Sequence, residues 1–129
     1  MRFPYFQLGS KYFAPIVPIK ILGKEGWIDF EAYIDSGASY SIFKSDRADI
    51  LGIDYKRGQE FFLTVGDGGL LKVYIHRLKT ELANKSFVAQ IGFSDQLGIG
   101  FNLLGRKSFF EYFRICFDDK GRFVELHEI

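Results

Sequence analysis

Asp35-Ser36-Gly37-Ala38 sets a carboxylate, a hydroxyl and a residue without a side chain in direct succession. Asp, Ser and Gly are ordinary turn formers, and taken alone the tripeptide reads as a turn. The same residues can also present a carboxylate to water as a general base. Peptide-bond hydrolysis by carboxylates alone needs two of them, one ionised to take a proton from water and one protonated to polarise the carbonyl. Two carboxyl groups about 3 Å apart share one proton, because both cannot ionise side by side. This chain holds one such loop: Asp67-Gly68-Gly69 lacks the hydroxyl residue, and Ser94-Asp95-Gln96 lacks the glycine. If the chemistry operates, the second carboxylate comes from a second copy, with Asp35 at the two-fold axis of a symmetric homodimer.

The elements around this loop read as strands. Ile28, Phe30, Ala32 and Ile34 alternate with Trp27, Asp29, Glu31 and Tyr33, which is the period of a strand with one core face, and it ends at Asp35. Residues 16–22 form its partner through a turn at Gly23-Lys24-Glu25-Gly26. Residues 61–65 and 70–78 flank Gly66, Asp67, Gly68 and Gly69 as a long hairpin with a glycine-rich tip, and residues 78–83 and 86–93 form another about Asn84-Lys85. A short helix is expected over 46–51, with Ser45 as its N-cap and Gly52 as its stop. Asn102-Leu103-Leu104-Gly105 is an apolar approach to a glycine, and in 106–113 that follows, Phe109, Phe110 and Phe113 fall on one helical face. Residues 1–15 read as irregular, broken by Pro4, Gly9 and Pro15, and the chain closes with a hairpin about Asp118-Asp119-Lys120-Gly121.

A length of 129 residues suits one hydrophobic core, so a single domain is expected, with its core at about 16–113 and a terminal hairpin at 114–129. Fifteen Phe and seven Tyr tilt the class to all-β. Seventeen basic against sixteen acidic residues give no net field to attract nucleic acid or an anionic membrane. The lone Cys116 cannot form an intrachain disulfide and reads as a small core hydrophobe. His76 and His127 are isolated and read as surface residues, so neither a metal site nor a cofactor is expected. Residues 66–69 do not make a phosphate loop, since no Lys-Ser/Thr follows and no helix begins there. No apolar run approaches the roughly 20 residues of a spanning helix, and the first eight residues lack the pattern of a secretory leader. A soluble cytoplasmic protein is the resulting expectation.

Strand, Asp35-Ser36-Gly37-Ala38, glycine-rich hairpin at 66–69 and Leu103-Leu104-Gly105-Arg106 occur in an order and spacing that resembles the retroviral-type, or retropepsin-like, aspartic proteases. That resemblance covers about residues 16–113. It implies a closed β-barrel-like acid-protease fold with one or two short helices, assembled as a symmetric homodimer that cleaves peptides. By the resemblance Asp35 is the catalytic carboxylate, and Ser36 bonds across the dimer axis to the partner's loop. Gly37 keeps the backbone narrow beside the substrate, and Ala38 completes the loop. Leu103, Leu104 and Gly105 pass beneath it as a support. Gly37 and Ser39 then border the bound peptide, and Gly66, Asp67, Gly68 and Gly69 form the tip of a covering flap.

The chain departs from the retroviral pattern, which reads Asp-Thr-Gly-Ala-Asp, at Ser36 and Ser39. Ser39 is uncharged, so Arg106 lacks the acidic partner of that pattern and must turn to Asp46, Asp49 or the other chain. The terminal hairpin either joins a sheet shared between copies or closes its own subunit. Two functions stay open: an aspartic endopeptidase, and a non-proteolytic peptide-binding or dimerisation module with the same fold. The carboxylate, hydroxyl and glycine kept together favour the first, because a binding groove gains nothing from a repelling carboxylate pair.

Overall fold

Side-chain alternation builds the molecule. In the segment 16–34, Val17, Ile19 and Ile21 on one strand and Phe30, Ala32 and Ile34 on the next are all buried, while the residues between them face outward or are partly exposed. Two strands with one apolar face each must cover those faces, and here the sheet does so by curling on itself. The computed structural model describes residues 1–64 and 68–129. Three short strands, β1 (Arg2–Pro4), β2 (Phe6–Gln7) and β3 (Phe13–Ala14), precede the long pair β4 (Ile16–Gly23) and β5 (Gly26–Ile34). β6 (Ser41–Lys44) runs directly into the helix α1 (Ser45–Leu51), and β7 (Gln59–Thr64), β8 (Leu70–Leu82), β9 (Lys85–Ser94) and β10 (Asn102–Leu104) follow. β11 (Phe113–Asp118) and β12 (Phe123–Glu128) form the terminal hairpin.

Strands β4, β5, β10, β6, β9 and β8 pair in that order, and β8 meets β4 again at Lys20↔Glu81 and Ile21↔Thr80, which closes a six-stranded barrel. The barrel interior is filled by fully buried Phe43 and Phe93, in edge-on contact with each other, together with Ile91, Leu104 and Leu51. Burial of each such side chain stabilises the fold by about 2 kcal/mol. β7 lies outside the barrel, paired only with β8, and its Phe61 and Leu63 pack on a smaller apolar cluster of Ile42, Leu71, Val73 and Ile75. The fold is thus mostly β, as its aromatic content implies. Among the described residues no helix is long and apolar enough to cross a membrane.

Several local expectations are corrected. The first fifteen residues are not irregular throughout: β1 pairs with β12, and β2 pairs with β3. Ser45 is the first residue of α1 rather than its side-chain cap, whereas Gly52 at φ 76° does end the helix, its N–H reaching the Ala48 and Asp49 carbonyls. The segments 70–78 and 78–83 are one uninterrupted strand, β8, turned into β9 by Ala83 and Asn84 with positive φ. No regular helix forms over 106–113, because Lys107 is extended and Ser108 is left-handed at φ 73°. Cys116 is exposed, not core: β11 turns Phe113 inward, so a strand period of two turns Cys116 outward. His76 is half-buried against Phe93, and its Nε2–H donates to the Tyr55 carbonyl, 2.8 Å away.

One buried polar residue ties the barrel together at the start of β10. Asn102 is 4% exposed, its amide donates to the Glu31 carbonyl at 3.0 Å, and its oxygen accepts the Lys44 N–H at 3.3 Å. Asn102→Leu leaves a backbone donor and a backbone acceptor without these partners, and we expect a loss of about 2 kcal/mol. Urea unfolding of the two proteins checks this, and equal midpoints would show that water replaces the amide.

Candidate active site

Asp35 follows β5 at the point where three chain segments cross. Ile34 donates its N–H to the Pro15 carbonyl at 2.9 Å, and Asp35 donates its own to the Leu104 carbonyl at 2.9 Å. The reason is register: β10 runs parallel to β5 with Leu103 beside Tyr33 and Leu104 beside Ile34, so the next rung falls on Asp35. Ala38 N–H returns to the Asp35 carbonyl at 3.2 Å, and Gly37 N–H donates to Asp35 Oδ1 at 2.9 Å. The loop's far side is held as well, because Arg106 and Lys107 N–H groups donate to the Ala38 and Ser39 carbonyls at 2.8 and 2.9 Å. Gly105 N–H donates to the hydroxyl of Ser41, which is fully buried, at 2.9 Å.

Gly105 is required by the crossing. A Cβ at that position would collide with the Tyr40 carbonyl oxygen and come within 2.8 Å of the Ala38 carbonyl oxygen. Beneath it Leu104 is 1% exposed and fills the barrel side of the loop. The loop is therefore a rigid shelf, and the Asp35 side chain stands partly exposed upon it.

Two clefts meet at Asp35. One, of about 730 Å³, is bordered by Asp35, Gly37, Ala38 and Ser39 on the loop and by Leu103 from β10. Its opposite walls are apolar, from Ile42, Leu63, Leu71, Leu97 and Ile99, with Tyr40, Thr64 and Gln96 as the polar members. The other, of about 700 Å³, holds Asp35 and Ser36 with Tyr5, Tyr12 and Tyr33 and, from the terminal hairpin, Phe117, Asp119 and Arg122. Tyr5 donates to Asp119 at 2.7 Å, and burial followed by that bond holds its phenol well above the usual range. Burial and then the neighbouring Tyr12 and Asp35 push Tyr33 up as well. Both rings stay neutral beside a carboxylate that water can reach.

The structure thus brings together Asp35, Gly37, Ala38, Ser39 and Leu103 in one cleft, turns Ser36 to the other, and places Leu104 and Gly105 underneath. Gly66 and Asp67 lie outside the described residues. Gly68, at φ 85°, and Gly69 are exposed and do not border either cleft. Asp46 pairs with Arg47 at 2.9 Å rather than with Arg106, whose side chain is exposed and makes no ion pair among the described residues. The apolar wall from residues 97–99 was not foreseen from sequence; the signal available was Leu97 and Ile99 set between glycines and polar residues, too short to carry a period. The contribution of the N-terminal tyrosines and the terminal hairpin to the second cleft was equally invisible, since it depends on β1 pairing with β12.

The fold has close counterparts among solved structures. A retropepsin-like aspartic protease from Rickettsia conorii superposes with a TM-score of 0.67 at 16% identity, over 98% of this chain and 89% of that one. EIAV protease complexed with the inhibitor HBY-793 superposes with a TM-score of 0.54 at 17% identity, over 78% of this chain and 88% of that one. No family model and no curated protein matches the sequence. At such identity the likeness is one of architecture: the chain has a retropepsin-like fold.

Proposed function

We propose that this retropepsin-like chain is an aspartic endopeptidase whose active site is completed by a second copy, each copy supplying one Asp35. The observation that carries the reading is the Asp35 carboxylate, held at the junction of two clefts on a loop whose backbone is bonded to β10 beneath it and to residues 106 and 107 beyond it. One loop per chain and two carboxyls per reaction require two chains. Fold neighbours that are aspartic proteases support the same conclusion.

In the proposed mechanism a water molecule lies between the two Asp35 carboxyls. The ionised one takes a proton from the water as it attacks the peptide carbonyl, and the protonated one donates to the carbonyl oxygen. Collapse of the tetrahedral intermediate breaks the C–N bond, and the proton taken from water passes to the leaving amine. The substrate lies extended along the apolar cleft, bordered by Gly37 and Ser39, and Ser36 hydroxyls link the two loops across the axis. The hairpin of β7 and β8, with Gly66, Asp67, Gly68 and Gly69 at its tip, closes over the peptide.

Digestion of an unbiased peptide library, with solution mass measured in parallel, tests this reading. Cleavage by a dimer is expected, and a fully active monomer would defeat it. A groove that binds peptides without cutting them would establish the non-proteolytic module instead. Ala38 adds a pH prediction, since it has no hydroxyl with which to stabilise the charged form of the aspartate pair. The activity maximum should be less acidic than that of pepsin-like enzymes. A maximum at strongly acidic pH in the unsubstituted protein would refute the argument.

A further inference from the structure

A third cleft, of about 470 Å³, lies beyond the aspartate loop, walled by Ser39, Tyr40, Arg106, Lys107, Phe110 and Glu111. Ser39 and Tyr40 also border the apolar cleft that starts at Asp35, so the two hollows share a wall. Main chain fixes the basic pair at that wall, because the Arg106 and Lys107 N–H groups donate to the Ala38 and Ser39 carbonyls at 2.8 and 2.9 Å. Both side chains are exposed, and among the described residues neither cation forms an ion pair. Glu111 alone is acidic among the described residues of this wall, and its Oε1 is engaged by the Ser108 N–H at 2.9 Å. Two cations thus face one carboxylate, beside the groove proposed to hold substrate.

We infer that this cleft takes a carboxylate of the substrate, an Asp or Glu side chain about three residues from the bond that is cut. The inference rests on the protease reading and names part of what such a protease selects. Its distance follows from the loop. Residues 35–38 form a turn closed by the Ala38 N–H on the Asp35 carbonyl, which holds their outer Cα atoms within about 7 Å. Ser39, one step on, is then within about 11 Å of Asp35. An extended peptide rises about 3.4 Å per residue, so about three residues separate the scissile bond from this wall. The Arg106 guanidinium offers a carboxylate its planar fork, and the Lys107 ammonium adds a second charge. The two-fold symmetry of the proposed dimer repeats the cleft at each end of the groove, so an acidic residue is selected both before and after the cut. A chain-terminal α-carboxylate has the same chemistry, and capping it separates the two sources.

Peptides carrying Asp, Glu, Asn or Gln in turn at each position near the cut test this. The ratio of kcat/KM for acid over matched amide, taken within one protein, cancels any change in the Asp35 loop itself. A ratio of about ten is expected near the third position on both sides, most of it in KM, since a hydrogen bond to an exposed cation contributes about that much. Arg106→Glu and Lys107→Glu together should invert the preference, so that Lys is favoured over Gln there. Circular dichroism establishes that this protein is folded, and its main-chain N–H groups remain to hold the loop. Amidation of the peptide C-terminus should leave the ratio unchanged, and a ratio that vanishes on amidation would overturn the side-chain assignment. Equal cleavage of acid and amide peptides would overturn the inference and leave the protease reading intact. A charge-reversed protein that no longer dimerises would overturn it too, by showing that a carboxylate of the second copy fills the cleft. If a dimer cuts no peptide, fluorescence anisotropy of the same labelled peptides decides. Acidic peptides bound about tenfold more tightly than amides would keep the carboxylate site and remove the protease reading, and equal binding would remove both.

Discussion

Asp35→Asn is expected to lower kcat/KM for peptide cleavage by at least about a thousandfold, with the melting temperature nearly unchanged. The two halves of that expectation have separate causes. Asparagine cannot ionise, so neither copy can supply the base, and loss of a positioned general base alone costs roughly 10²–10⁴ in rate. The structural role of the side chain survives, because its one hydrogen bond within the loop is the acceptance of the Gly37 N–H, which an amide oxygen also accepts. The group is partly exposed, so no buried charge is exchanged for a dipole. On the proposed reading of a site shared between two copies, an excess of the variant added to the unsubstituted protein should also suppress activity by forming mixed dimers. Steady-state kinetics with a peptide found by library digestion measures all of this. Cleavage that survives at a tenth of the original rate would remove Asp35 from the mechanism.

Gly105→Ala should do the reverse, damaging the frame and, through it, the chemistry. The added methyl would occupy the space of the Tyr40 carbonyl oxygen and press on that of Ala38; both are backbone atoms, and the Ala38 oxygen already accepts the Arg106 N–H. Backbone cannot step aside as a flexible side chain can. We expect a loss of about 3 kcal/mol, which corresponds to a fall of roughly 10 °C in melting temperature. The residual folded protein should cleave poorly, because the Asp35 loop and β10 separate. Calorimetry and activity measured well below the new transition distinguish the two effects. An alanine protein as stable as the parent would mean that the chain crosses differently at this point.

What sequence reveals here follows a physical division. β5 is legible because Ile28, Phe30, Ala32 and Ile34 keep a strict period of two up to Asp35, and the helix stop is legible because Gly52 alone tolerates a left-handed bend cheaply. Leu103-Leu104-Gly105 is legible as an apolar segment that needs a residue without a side chain. β1, β2 and β3 are not, since two or three residues carry no period and their pairing depends on distant chain. The spacing of Phe109, Phe110 and Phe113 suits a helix, yet bonds at Ser108 override it: Gln90 N–H from β9 donates to its hydroxyl, and its own N–H donates to the Glu111 side chain three residues on. In the candidate site, the aspartate loop could be read but its walls could not. Leu63, Leu71, Leu97 and Ile99 come from separate segments, and only the closed barrel makes them neighbours.

The parallel pairing of β5 with β10 also orders events in time. As the chain is synthesised, residues 35–39 emerge long before residues 102–107, which bond the Asp35, Ala38 and Ser39 backbone from below and beyond. Until that later stretch exists, the aspartate loop has its own turn bonds and the link from Ile34 to Pro15, but no support from β10 or from residues 106 and 107. On the proposed protease reading, a chain made only as far as β9 carries Asp35 without the backbone that positions it, so cleavage by a nascent chain must wait for residues 102–107.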